Sequence, residues 1–215
     1  INYEFNNRPK YIYAKLEYYN LTGSIKDRVA FYILKNGKAK GTLKENMPII
    51  EATSGNTGIS LAAIGKKYKH KVYIFMPDWV SKERIDLMKG YGAEVLLYSK
   101  EEGGFIRCIE EAKKLAMAKK GFLANQFANN DNFLAHYETT GKEIIAQVPE
   151  NIYGFVSGVG TGGTLMGTGK RLKEKFENLQ IVAIEPDKMP LITNLKYHKT
   201  IQSNGTHKIE GIGDE

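Results

Sequence analysis

Short apolar runs rich in β-branched and aromatic residues alternate along this chain with stretches whose apolar positions recur every three or four residues. The runs predict strands at Lys10–Glu17, Met47–Glu51, Lys71–Met76, Glu94–Tyr98, Tyr153–Val156 and Gln180–Ile184. The periodic stretches predict helices at Ile25–Lys38, Thr57–Lys69, Lys82–Tyr91, Gly104–Lys119, Asn132–Gln147 and Thr164–Phe176. From Arg107 to Lys120, Ile109, Ala112, Leu115 and Ala116 share one face while Lys and Glu occupy the other. Strand–helix alternation with continuously apolar strands predicts an α/β fold, its parallel sheets covered by helices on both faces. A seam is expected at Val148-Pro149-Glu150-Asn151, where a Pro follows a helix and a new strand begins. Two α/β lobes with a cleft between them follow. Such sheets bind ligands beyond the carboxyl ends of their strands, so chemistry is sought in the strand-to-helix turns.

Composition excludes several classes. The 215 residues, 42% hydrophobic and 26% charged, match a globular chain rather than a disordered, collagen-like or coiled-coil one. No apolar run approaches the roughly 20 residues of a membrane helix. The first residues show no basic-then-apolar leader and Cys108 has no partner for a disulfide, so the cytoplasm is the expected compartment. The net charge of +7 comes mainly from Lys; only Arg8, Arg28, Arg84, Arg107 and Arg171 are Arg. Lysines interspersed with acids, as in Glu110-Glu111 beside Lys113-Lys114, describe a solvated helix face rather than a nucleic-acid stripe. A small anionic ligand suits the same bias. His70 and His198 lie in Lys-rich turns and are expected to be solvated, and His136 to be structural. No His pair has metal-ligand spacing with an acid or Cys nearby, so no metal site is expected. Cys108 is expected to be a small core residue.

Three turns could hold chemistry. In Asn20-Leu21-Thr22-Gly23-Ser24-Ile25-Lys26-Asp27-Arg28, Thr22 and Ser24 are helix N-cap candidates. Lys26 then sits in a first helical turn, where the dipole disfavours its charged form. Such an amine suits Schiff-base chemistry, although a surface Lys reads the same way. In Glu51-Ala52-Thr53-Ser54-Gly55-Asn56-Thr57-Gly58, hydroxyls, an Asn and glycines crowd a helix start, which makes an anion site. In Ser157-Gly158-Val159-Gly160-Thr161-Gly162-Gly163-Thr164, Gly158, Gly160 and Gly163 satisfy GxGxxG between strand and helix. Either this is a dinucleotide turn, with Glu185 as ribose partner, or it is a simple phosphate cradle. Taken together, a reactive amine, a carboxylate turn and a phosphate turn describe a cleft for an aldehyde-phosphate cofactor and an amino acid. Nicotinamide chemistry has no use for the first two turns.

With Asn125-Gln126-Phe127 and His207-Lys208-Ile209-Glu210-Gly211-Ile212-Gly213 added, these motifs resemble the cysteine synthase and cystathionine β-synthase family of fold type II pyridoxal-phosphate enzymes, from about Arg8 to Glu215. The resemblance implies the two-lobed, tryptophan synthase β-like architecture with pyridoxal 5'-phosphate in the interlobe cleft. It assigns 20–147 to a smaller lobe and 148–215 to part of a larger one, to which 1–19 crosses. It makes Lys26 the Schiff-base lysine that also moves the α-proton, and sets Asn56 beside the cofactor ring. Gly160, Thr161, Gly162, Gly163 and Thr164 bind the cofactor phosphate. Thr53, Ser54, Asn56 and Thr57 hold the substrate carboxylate with help from Gln126, Gly211 to Gly213 line the site's mouth, and His207 stands behind it. Resembling enzymes are homodimers and continue past the position of Glu215, where they place a hydroxyl against the pyridine nitrogen. The implied reaction is β-replacement on a serine-type amino acid.

Departures from the family pattern bear on substrate. Leu21 and Asn130 replace prolines in turns, with little chemical meaning. After Gly213, resembling cysteine synthases carry two small residues, whereas this chain carries Asp214 and Glu215. A carboxylate there can act as general base toward water or a thiol, and it disfavours an anionic nucleophile such as hydrosulfide. The expected reaction is therefore L-cysteine plus water to L-serine plus hydrogen sulfide, with Asp214 catalytic and Gly213 and Glu215 near substrate. An ordinary cysteine synthase, or a synthase of cystathionine or lanthionine, is the alternative inside the family. A nicotinamide dehydrogenase and an inactive ligand-binding homologue are those outside it. The same acids should repel the tail by which serine acetyltransferase docks on some cysteine synthases.

Overall fold

Ile49–Ala52 (β3) is buried along its whole length and forms the centre of a four-stranded parallel sheet. Val72–Pro77 (β4) pairs with it from Ile49↔Val72 to Ala52↔Phe75. Glu94–Tyr98 (β5) extends the sheet beyond β4, and the two-residue Phe122–Leu123 (β6) closes the other side. This computed structural model describes residues 1–5, 8–198, 207, 209 and 211–213.

Helices cover both faces, as continuously apolar strands require. Lys26–Ala39 (α1), Asn56–Lys67 (α2) and Lys82–Gly90 (α3) lie on one. Val29, Ile33 and Leu34 meet Leu61, Ile74 and Met88 there in the largest core. Gly104–Ala118 (α4) covers the opposite face, where Cys108 and Ala112 pack against Ile50 and Phe75. Cys108 is fully buried, and burial pushes its thiol up to about 11.

The second unit is a parallel pair, Gly154–Gly158 (β7) and Gln180–Ile184 (β8), joined through Gly163–Lys173 (α7). Leu172, Phe176 and Leu179 pack with Ile144 and Ile145 from Gly141–Gln147 (α6). Leu191–Tyr197 (α8) follows.

Two expectations change. The strand over 10–17 is instead a hairpin of Asn2–Phe5 (β1) with Arg8–Tyr11 (β2), ending at the pair Asn2↔Tyr11. Beyond it Tyr13 bonds Glu150, and Lys15 bonds Gln147 and Glu143, so that segment is held by side chains rather than a ladder. The single helix over 132–147 is three pieces: Asn130–Ala135 (α5), a π-helical turn at His136–Thr140, and α6. Thr139 Oγ1 bonds back to Ala135 O at 2.6 Å, a contact that bends helices. Among the described residues no helix is long and apolar enough to cross a membrane.

Candidate active site

The first turn wraps the start of α1. Thr22 is not a cap: it gives its backbone N–H and its hydroxyl to the Asp27 carboxylate, each at 2.6 Å. That hydroxyl also lies 3.1 Å from Ser60 Oγ, tying the turn to α2. Ser24 Oγ accepts the Lys26 N–H at 3.2 Å, and Lys26 is the first, half-buried residue of α1. Two residues on, Arg28 bridges Glu17 (2.7 Å) and Glu143 (2.6 Å), and holds the Glu143 carboxyl down to about 2. This ion cluster pins α1 between the N-terminal segment and α6.

The second turn is at the start of α2, beyond the carboxyl end of β3. Thr53 and Thr57 are buried, Asn56 is half-buried and Ser54 is exposed. Thr53 Oγ1 accepts the Gly55 N–H at 3.2 Å, shaping the turn. Thr57 Oγ1 donates to Gln126 Oε1 at 2.5 Å, so two of the expected carboxylate ligands meet each other directly. The Gln126 N–H is received at 3.0 Å by Glu51, a carboxylate only 3% exposed. Burial outweighs the backbone N–H groups it accepts and pushes Glu51 up to about 7.

The third turn leads from β7 into α7. Gly162 has φ +81°, a left-handed conformation that favours glycine. Gly163 lies so close to α5 that a Cβ there would stand 2.0 Å from Asn132 Oδ1. Thr161 Oγ1 accepts from Asn132 Nδ2 at 2.8 Å, and Thr164 Oγ1 lies 3.2 Å from His136 Nε2. His136, 1% exposed, lies 3.0 Å from Thr140 Oγ1 through its other ring nitrogen. Burial first, then the charges of Lys26 and Arg28, push it down to about 3. It is therefore a neutral link between two hydroxyls, and the Lys26 charge reaches it from the α1 side.

The segment Gly211–Gly213 closes on the same region. The Gly213 N–H donates to Val159 O at 2.9 Å, and Ile212 fills the space beside Gly158. His207 Nδ1 accepts the Ile209 N–H at 3.2 Å, which leaves Nε2–H to face Gly213 O at 3.3 Å. Asp214 and Glu215 lie outside the described residues.

Two readings are corrected. Glu185 faces no ribose site: its carboxylate takes the N–H groups of Ile192 (2.6 Å) and Thr193 (2.9 Å) and the Thr193 hydroxyl, capping α8. The GxGxxG turn thus lacks the acid that a dinucleotide needs. His70 is buried at 6% exposure, with Nδ1 2.9 Å from Met47 O, rather than solvated. His198 is exposed. Three participants were missed: Glu51, Asn132 and the linking role of His136. Asn132, His136 and Thr140 recur at intervals of four on one helical stretch, a polar stripe whose burial was the available signal.

The donor set fits a phosphate-bearing carbonyl cofactor. The first N–H groups of α7 have no intrahelical partners, Gly162 turns the chain into the helix in a left-handed conformation, and the hydroxyls of Thr161 and Thr164 flank it. Lys26 opens α1, near enough for its charge to act on His136, and the α2 turn offers a second anion site.

The family profile described as "Pyridoxal-phosphate dependent enzyme" matches residues 3–215. A cysteine synthase of Flavobacterium sp. is 40% identical over 214 residues, covering 99% of this chain and 67% of that protein. One from Staphylococcus aureus is 40% identical over 203 residues, 94% of this chain and 63% of that protein. The chain thus spans about two thirds of the length of these relatives. The crystal structure of a hydrogen sulfide-producing enzyme from Fusobacterium nucleatum superimposes with TM-score 0.90 at 46% identity, over 100% of this chain and 64% of that one. With that profile matching residues 3–215 and cysteine synthases 40% identical across nearly its whole length, the chain belongs to the pyridoxal-phosphate dependent enzymes of the cysteine synthase family.

Proposed function

We propose that the protein catalyses β-replacement on cysteine or a serine-derived amino acid, specifically L-cysteine plus water to L-serine plus hydrogen sulfide. The observation that carries the general reading is the linkage of the α2 turn to the α7 turn through Gln126 and Asn132, with Lys26 at the start of α1 near enough for its charge to act on His136 beside Thr164. When bound, pyridoxal phosphate supplies an electron sink for charge developing at the substrate α-carbon. Lys26 would hold the cofactor, and its amine would take and return the α-proton of the substrate. Thr53, Ser54, Asn56 and Thr57, backed by Gln126, hold the substrate carboxylate at the α2 start. Gly160 to Thr164 hold the cofactor phosphate. Gly213 faces the substrate side chain, with Asp214 and Glu215 following it in the sequence.

The C–S bond at Cβ breaks and sulfur departs as hydrosulfide; a water oxygen then bonds Cβ and gives its proton to Asp214, which passes it to the hydrosulfide so that hydrogen sulfide leaves and the carboxylate is restored. No oxidant or reductant is required. Two acids in sequence after Gly213 and the similarity to a hydrogen sulfide-producing enzyme support water over hydrosulfide as nucleophile. The relatives named cysteine synthase support the second reading, assembly of cysteine from an activated serine and sulfide. The lobes of this reading are 20–147 and 148–215.

Product analysis decides between the two. Cofactor-loaded full-length protein given L-cysteine alone should release sulfide with matching serine. Release only after a nucleophile is added, with cysteine made from O-acetylserine and sulfide, would establish the second reading. Replacing Lys26 by Ala should abolish the visible absorbance of the lysine-bound cofactor. Unchanged serine formation in Asp214→Asn would exclude the general-base role.

A further inference from the structure

Gln126 is tied at three points. Its N–H bonds Glu51 on β3, its side-chain oxygen takes the Thr57 hydroxyl of the α2 turn, and its carbonyl accepts Asn132 Nδ2 at 3.0 Å. That same nitrogen donates to Thr161 Oγ1 at 2.8 Å. One amide group therefore joins the segment that backs the carboxylate turn to the turn that cradles phosphate. Asn132 is 4% exposed and its Oδ1 has no hydrogen-bond partner among the described residues. A buried acceptor left without a partner destabilises the fold, so the amide oxygen cannot be what makes this residue useful. Nor can the amide be turned over, because its oxygen would then face the Gln126 carbonyl. The oxygen presses on Gly163, whose missing side chain allows the approach, and the amide lines a cavity of about 380 Å³ with Gln126, Thr161, Gly162 and Gly163.

We infer that Asn132 is a positioning residue that couples the two turns, so that ordering of the phosphate turn is transmitted through Gln126 to the carboxylate turn. Thr161 is held by the Asn132 donor, and the same donor fixes the Gln126 carbonyl, whose side chain in turn fixes Thr57. Cofactor phosphate and amino-acid carboxylate then favour one arrangement of this amide and strengthen each other's binding. The inference rests on the assignment of those two turns and is independent of which nucleophile attacks Cβ.

The test uses full-length protein with two variants, Asn132→Ala and Thr161→Val, and their combination. Cofactor affinity is read by titrating apoprotein with pyridoxal phosphate, and amino-acid affinity by the change in cofactor absorbance on adding L-serine. Losing hydrogen bonds of this kind is expected to weaken cofactor binding by roughly fivefold to tenfold in Asn132→Ala. L-serine binding should weaken severalfold in both single variants, although Thr161 lies on the phosphate side. In the double variant the effects should fall well short of their product, as for residues acting through one bond. A Thr161→Val protein that binds L-serine as the parent does would overturn the coupling, as would multiplicative effects in the double variant. If Asn132→Ala does not fold, the Thr161→Val serine titration decides alone. Loss of all cofactor binding in the parent protein would instead overturn the assignment of the phosphate turn.

Discussion

Replacing Glu51 by Gln should unmask the buried His136, whose effect on the pH dependence of stability Glu51 opposes. Burial holds the Glu51 proton more tightly in the folded chain than in the unfolded one, its pKa rising from an ordinary 4.5 to about 7. Its contribution is therefore complete below pH 4.5 and lost as pH rises through 7. His136 runs the other way, from an ordinary 6.5 down to about 3, so its contribution is complete above 6.5 and lost as pH falls toward 3. At about 1.4 kcal/mol per pH unit, less the rounding near each midpoint, each group changes stability by about 2 kcal/mol between pH 4.5 and 6.5. Their signs are opposite. The parent should be flat in that window to about 0.5 kcal/mol, near the error of a denaturant extrapolation. Glu51→Gln removes one titration at nearly constant volume, so its stability should rise by about 2 kcal/mol from pH 4.5 to 6.5. The slope is the readout, because Gln also places an N–H where a backbone donor stands and lowers the whole curve. Urea unfolding at several pH values measures it. Carboxyls held low by ion pairs, such as Glu143 at about 2, act below this window. A Glu51→Gln profile as flat as the parent's would show that the two buried groups do not offset each other.

Three further outcomes follow from packing and charge. Gly167→Ala would put a Cβ 2.3 Å from the Phe133 carbonyl, where α7 crosses α5, and should lower stability by about 2–4 kcal/mol in a denaturant titration. Arg28→Lys keeps the charge but cannot bridge Glu17 and Glu143 together. It should cost about 1–3 kcal/mol by the same assay and restore the Glu143 carboxyl toward its ordinary range, which carboxyl NMR would show. Cys108, fully buried with its thiol pushed up to about 11, should resist iodoacetamide at pH 8 and react at once in urea.

Much of the molecule follows from local rules. The strands at 49–52, 72–77, 94–98, 154–158 and 180–184 are apolar, β-branched runs, and the helices between them are periodic, so period alone places them. The three turns stand out because hydroxyls and glycines gather there more densely than capping requires. The Arg28 cluster, by contrast, joins residues 17, 28 and 143, and nothing local links them.

Local pattern alone places the alternation of elements, the three turns, Lys26 at a helix start and Cys108 in a core. The tertiary structure decided the rest. It turned Glu185 into a helix cap, closed the N-terminal strand early into a hairpin, and inserted a π turn at His136–Thr140 where one continuous helix was expected. It also made Thr57 and Gln126 partners across 69 residues, and placed one amide between the two turns. Periodicity reports which face of an element is apolar. Only packing decides which distant polar groups share a buried space and must therefore satisfy one another.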